Sequence, residues 1–241
     1  MAEQSLREAE ATGHAISQCF VLALASCPIA FWIGDRVAAT KYTAKLVELS
    51  RRHALPHWAA FGARFEQVLV IKADDLGCGS RRRPSGQDEV AAPNFSFRSL
   101  SGLTQLAEAL GQAGRATEGL ALLETGVEQF EDGCFSPELI RLKGELMMQQ
   151  DMPGAAGSAE AHLRQAMDGA RKQGALSWEL RAATSLARSL RAQGRPADAI
   201  ACLRPIYDRF TEGFGTADLV AAKQLLDEAD DPGIFHKNTV L

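Results

Sequence analysis

The sequence has few of the features that identify enzymes or secreted domains. Its five Cys form no CxxC pair, so we expect neither a zinc knuckle nor a disulfide framework, and reduced thiols favour a cytoplasmic location. Aromatic residues amount to only 7% of the chain, whereas Ala is abundant, a composition typical of helical cores. No GxxxxGK[ST] loop occurs, which excludes a standard phosphate cradle, and we predict no cofactor.

The charge of the chain is close to balanced. Lys and Arg number 26 and Asp and Glu number 30, which gives a formal net charge of −4. This balance leaves no strongly basic surface, so we expect no direct binding of nucleic acid. One basic run, Arg81 to Arg83, has no aromatic residues interleaved with it, and we interpret it as part of a solvated loop.

An uncharged apolar segment runs from Cys19 to Gly34 and contains Pro28. It is too short for a comfortable membrane span. Three Glu but only one Arg precede it, which is the opposite of the basic start of a signal peptide. We therefore expect this segment to form a buried first helix, and we predict no membrane partner.

A period of 40 residues runs through the chain. Phrases that begin with glycine recur 80 residues apart, at Gly34, Gly114 and Gly194, and a small residue follows each glycine by five positions. With the two midpoints, the small residues are Ala39, Gly79, Gly119, Ala159 and Ala199. Glycine fits a helix C-cap with a left-handed backbone, and a small residue lets two antiparallel helices approach closely. Each period is therefore predicted to be a helix, a turn and a second helix.

The period carries a known repeat signature. The large and small residues that resemble the tetratricopeptide pattern are Leu186, Ala187, Leu190, Gly194, Ala199, Leu203 and Ile206. A unit here is 40 residues long rather than the usual length of about 34, which implies longer helices. The resemblance implies an all-α fold, namely a right-handed α-solenoid of about five tetratricopeptide-like helix pairs with a C-terminal capping helix.

The same register gives the expected domain boundaries. A single helical-repeat domain is predicted over residues 16–231, with units at about 16–55, 56–95, 96–135, 136–175 and 176–214 and a cap at 215–231. Residues 1–15 are predicted to be a frayed segment and residues 232–241 a flexible tail. The stretch 77–93 is rich in Gly and Pro, and we interpret it as a loop.

The stretches 138–148, 174–199 and 207–228 look like the C-terminal helical-repeat region of bacterial predicted-ATPase regulators. In that family the repeats follow an ATPase module, which is preceded by a winged-helix DNA-binding domain or an adenylate-cyclase-like domain. The resemblance implies a non-catalytic module of a signalling or transcriptional regulator. Its expected partner is a protein or peptide, including an ATPase or a DNA-binding or cyclase module of the same system.

The first helices of stacked helix pairs are expected to line a concave groove. In this register the candidate groove residues are Thr104, Glu108, Arg141, Glu145, Thr184, Arg188 and Arg191. The three arginines could clamp an anion, because guanidinium groups bind carboxylate or phosphate in a bidentate manner. Alternatively, they form intramolecular ion pairs with Glu108, Glu145 and Glu179. The sequence leaves both possibilities open.

No metal site is predicted. His53 and His57 lie four residues apart, but Pro56 stands between them and no third ligand is near in sequence. We therefore predict a protein-interaction or effector-sensing module that recognises a protein, peptide or anionic ligand in its groove. The alternative is an orphaned regulator fragment that serves only homotypic or scaffold association, for which a homo-oligomer is expected.

Overall fold

A computed structural model describes residues 2–74, 100–129, 133–150 and 154–230, and within these ranges the chain is helical with no strand. The helices are α1 (Ala2–Ala11), α2 (Ala15–Val21), α3 (Cys27–Trp32), α4 (Arg36–Arg52), α5 (Pro56–Asp74), α6 (Leu100–Gln112), α7 (Ala116–Gln129), α8 (Ser136–Met148), α9 (Ala155–Lys172), α10 (Leu176–Ala192), α11 (Pro196–Tyr207) and α12 (Ala217–Asp230). The predicted all-α class is confirmed. The loop predicted at 77–93, its Arg81 to Arg83 run and the tail at 232–241 lie outside the described residues.

The chain divides into two compact units, Met1–Phe135 and Ser136–Leu241. In the first unit, α2 and α3 are joined without a break by a π-helical turn, Leu22–Ser26. Pro28 follows this turn and cannot donate a hydrogen bond to the carbonyl four residues earlier. The wider π turn accommodates that missing bond within an otherwise continuous helix.

The core of the first unit forms between the α2–α3 helix and the helices α4, α5 and α6. The rings of Phe31 and Phe65 stack with their centroids 5.5 Å apart, and Leu46 is fully buried beside them in the same cluster. Residues 1–15, predicted to be frayed, instead contain helix α1. Its Leu6 and Ala9 are buried, and burying them stabilises a helix that is too short to persist alone.

The core of the second unit forms where α8 to α12 pack against one another. Leu163 and Leu203 are fully buried in it, at the positions that the 40-residue period predicts. Helix α8 approaches α9 closely at Gly144, where a Cβ atom would lie 3.2 Å from the carbonyl oxygen of Ala159. The small residues that the period predicts at 39, 119, 159 and 199 are all buried.

Five turns between consecutive helices share one geometry. In each, a residue with positive φ donates its N–H to the carbonyl three residues earlier at 2.9–3.2 Å, and the next N–H reaches the carbonyl five residues earlier at 2.8–2.9 Å. These residues are Gly34, Ala54, Gly114, Gly174 and Gly194. The pattern is the Schellman motif, which satisfies the last carbonyls of a helix. The left-handed glycines predicted at 34, 114 and 194 are confirmed, and consecutive described turns stand 20 residues apart.

Ala54 is the one turn residue of the five with a side chain, and its φ is 51°. Because the left-handed conformation costs an L-residue roughly 1–2 kcal/mol, we expect Ala54→Gly to raise the free energy of unfolding by about 1 kcal/mol. We expect Gly194→Ala to lower it by a similar amount. Urea-induced unfolding followed by circular dichroism measures both changes. The matched control is Ala60→Gly, an exposed position within α5, which should be destabilising. Stabilisation by the control would contradict the conformational explanation.

Candidate functional site

A buried charge network lies between the first helices of the second unit. At its centre the carboxylate of Glu138 on α8 accepts two hydrogen bonds of 2.8 Å from Arg141 on the same helix. It also accepts bonds of 3.0 Å and 3.2 Å from Arg181 on α10. The three residues are only 1%, 3% and 9% exposed. One carboxylate therefore joins two guanidinium groups in the interior of the unit.

The network extends in both directions from Glu138. Arg141 forms an ion pair of 2.7 Å with Glu145 and donates a hydrogen bond of 3.2 Å to the Ser185 hydroxyl. That hydroxyl donates in turn to Glu145 at 2.5 Å. In the other direction, Arg181 donates to Asp218 on α12 at 2.9 Å. The network thus links α8, α10 and α12.

A second buried carboxylate lies on α10 outside this network. Glu179 is 1% exposed and accepts hydrogen bonds from Arg171 at 2.9 Å and from Arg209 at 2.6 Å. Both arginines are largely exposed, so they pair with Glu179 from the rim of the unit. Glu179 therefore ties the end of α9 and the turn after α11 to α10.

The structure places the predicted groove residues of the second unit in different environments. Arg141 is buried and paired with Glu145, which is the intramolecular arrangement that the sequence left open. Thr184 is buried and donates to the carbonyl of Leu180 at 2.8 Å. Arg191 is partly buried and pairs with Glu228 at 2.6 Å, whereas Arg188 is exposed. The three arginines therefore do not share one environment, and Arg188 is the most accessible of them.

The first unit carries the other two predicted groove residues on α6. Thr104 is buried and donates to the carbonyl of Ser101 at 2.9 Å, and Glu108 is half-buried. Ser101 and Gln105 stand 40 residues before Arg141 and Glu145. The Ser101 hydroxyl and the Gln105 side-chain oxygen are buried with no hydrogen-bond partner among the described residues. Helix α6 thus carries buried polar groups in the same register, but no charge network.

Glu138, Arg181, Ser185 and Asp218 take part in the network but were missed by sequence reasoning. Arg181 stands 40 residues after Arg141, and Ser185 stands 40 after Glu145. The period therefore held the signal for two of them, had it been applied to polar as well as small residues. Glu138 and Asp218 carry no such signal, because only packing brings them to Arg181.

The described residues contain no cluster of three or more potential metal ligands, and His53 and His57 are both exposed. Burial raises the pKa of the Cys27 thiol to about 12 and that of Cys202 to about 11. Neither thiol is therefore ionised to a useful extent at neutral pH, and neither is suited to act as a nucleophile.

An apolar surface lies on the first helices of the first unit. Its exposed side chains, which we call the N-terminal apolar face, are Ile16, Phe20, Ile29, Ile33 and Val37. The Phe20 ring also meets the edge of Trp58 at a centroid distance of 6.0 Å. By length and composition alone, Ala15–Trp32 is a helix that could cross a membrane, a test that core helices of soluble proteins also pass. The opposite side of this helix carries core residues such as Leu22 and Cys27.

Comparisons with protein-family models, with curated proteins and with solved structures return no match for this chain. The geometry described above is therefore the basis for the functional argument.

Removing the Glu138 carboxylate should be strongly destabilising. Glu138→Ala would leave Arg141 and Arg181 buried without their shared counter-ion, a loss of roughly 3–5 kcal/mol. Urea-induced unfolding measures the change in unfolding free energy. The control is Asp227→Ala, which breaks the exposed pair with Lys223 and should cost less than about 0.5 kcal/mol. Equal effects of the two substitutions would show that the network does not hold the unit together.

Proposed function

We propose that this chain is a non-catalytic helical-repeat module that recognises a protein, peptide or anionic ligand on the inner surface of a tetratricopeptide-like solenoid. The observation that carries the proposal is the recurrence of one turn geometry every 20 residues, at positions 34 and 54 and again at 174 and 194. Identical turns at a constant spacing give helix pairs of equal length, and stacked pairs of equal length form an extended binding surface.

The chemistry of the side chains supports binding rather than catalysis. The carboxylates of Glu138 and Glu179 are each held by two arginines, so neither is placed to exchange protons with a substrate. Arg188, by contrast, is exposed on α10 and can meet an external carboxylate or phosphate. In this proposal the chain acts in the cytoplasm within a bacterial signalling or transcriptional regulator, and its partner is an ATPase, a DNA-binding module or a cyclase module of the same system.

The test is capture from a bacterial lysate with the wild-type chain and with an Arg188→Ala, Arg191→Ala double variant, followed by mass spectrometry of the retained proteins and small molecules. We expect the double variant to lose the specific partner by about tenfold or more, because both guanidinium groups are removed. The matched control is Arg51→Ala, Arg52→Ala, which removes two exposed arginines from α4.

Equal retention by the wild type and the double variant would overturn the proposed binding surface. Loss of the partner in the control alone would place the surface in the first unit instead. Robust ATP hydrolysis by the purified chain would contradict the non-catalytic part of the proposal.

A second candidate function, homotypic association, is favoured by the N-terminal apolar face. Among the described residues, large exposed apolar side chains occur only there and at Phe214 and Val220. The helix that carries most of this face has no charged residue from position 15 to position 33, so two copies could pack on it without like-charge repulsion.

For this candidate we expect the sedimentation coefficient of the wild type to rise with protein concentration. The double variant Ile16→Glu, Ile33→Glu should remain a monomer over the same range, because charged groups on the face oppose burial. The matched control is Val220→Glu, an exposed apolar residue of α12. A wild type that stays monomeric at all concentrations would exclude homotypic association.

A further inference from the structure

Helix α12 lies along α10 and is held there by two ion pairs. Arg181 pairs with Asp218 at 2.9 Å, and Arg191 pairs with Glu228 at 2.6 Å. The two arginines are ten residues apart, as are the two carboxylates. Each pair therefore spans 37 residues of sequence. Equal spacing on both helices means that α10 and α12 run parallel, with ion pairs about 15 Å apart.

Apolar side chains occupy the space between these ion pairs. Leu219, Ala222 and Leu226 of α12 are buried in the core cluster that also contains Leu186 and Leu190 of α10. Helix α12 is thus an amphipathic helix with an acidic residue at each end of its apolar stripe, and α10 is a surface complementary to it in both charge and hydrophobicity.

A third arginine on this face of α10 has no acidic counterpart. Arg188 is seven residues after Arg181 and three before Arg191, so the helical repeat places it on the same side of α10. It is exposed and makes no ion pair with any residue in the part of the chain that the structure describes. The residue 37 positions later is Leu225, which cannot pair with it. Helix α12 therefore satisfies two of the three cations that the surface offers.

We propose that this face of α10 is a docking surface for an acidic amphipathic helix of a partner protein, and that α12 occupies the surface until the partner replaces it. The inference rests on the proposed function and specifies its partner. Because α12 is part of the same chain, its effective concentration is on the order of millimolar, so a partner helix with the same contacts competes poorly. An acidic residue opposite Arg188 gives the partner a contact that α12 lacks.

The proposal is tested with the full-length chain and two fluorescent peptides, measured by fluorescence anisotropy at low ionic strength. One peptide has the sequence of residues 216–230, and the other carries L225E in that sequence. On the wild-type chain, we expect the L225E peptide to bind about fivefold more tightly than the unchanged peptide, the upper range for one exposed ion pair. With Arg188→Ala in the chain this advantage should disappear, and the fold should persist because Arg188 has no ion pair to lose.

A second pair of variants tests whether α12 occupies the surface. Glu228→Arg places like charges at the Arg191 contact, so the L225E peptide should bind about fivefold more tightly to this variant than to the wild type. The exchanged variant Arg191→Glu, Glu228→Arg restores the pair within the chain, and the affinity should return to the wild-type level or below. Circular dichroism checks that each variant is folded.

Several results would overturn the proposal. These are equal binding of the two peptides to wild type and Arg188→Ala, absence of binding to a folded Glu228→Arg chain, or equally tight binding to the exchanged variant and to Glu228→Arg. If the peptides fail while lysate capture still depends on Arg188 and Arg191, the acidic-helix partner is wrong and the proposed function stands. If capture also fails, both are wrong.

Discussion

The structure depends above all on one backbone constraint, the left-handed residue that ends a helix and reverses the chain. The turn uses two hydrogen bonds to satisfy the carbonyls of the finished helix, and it directs the chain into the next helix within three residues. Gly174 and Gly194 bracket α10 in this way. Because the turns recur at a fixed spacing, residues 40 positions apart stand at equivalent places on successive first helices.

That equivalence explains why charges gather in the interior of the second unit. Arg141 and Arg181 occupy the same register position on α8 and α10, and both point to Glu138. Burying charged groups carries a large desolvation cost, which is offset only where each group is paired and hydrogen-bonded. The contacts to Ser185 and Asp218 complete that pairing. The network therefore specifies how three helices align, as an apolar interface of similar size would do less selectively.

The first and last described helices meet solvent in different ways. The outer side of α12 carries the exposed pair Lys223–Asp227, with Val220 as its exposed apolar residue. A polar outer side of this kind is what closes a stack of helix pairs. The α2–α3 helix of the first unit instead exposes Ile16, Phe20 and Ile29. A surface of this type is typical of a site that another polypeptide covers.

The sequence by itself determined the helical class, the spacing of the turns and the buried small residues. These depend on local preferences, such as that of Gly194 for positive φ, and on the periodic burial of residues such as Leu163. It also identified Arg141 and Arg191 as residues of the inner surface, but it could not assign their partners. Tertiary packing decided that Arg141 is buried against Glu138 and Glu145, and that Arg191 meets Glu228 on α12. It also decided that residues 2–11 form a helix, because Leu6 finds a core to pack against. The physical reason is that a turn is settled by the few residues it contains, whereas the environment of a charge depends on side chains that are distant in sequence and arrive only when the helices pack.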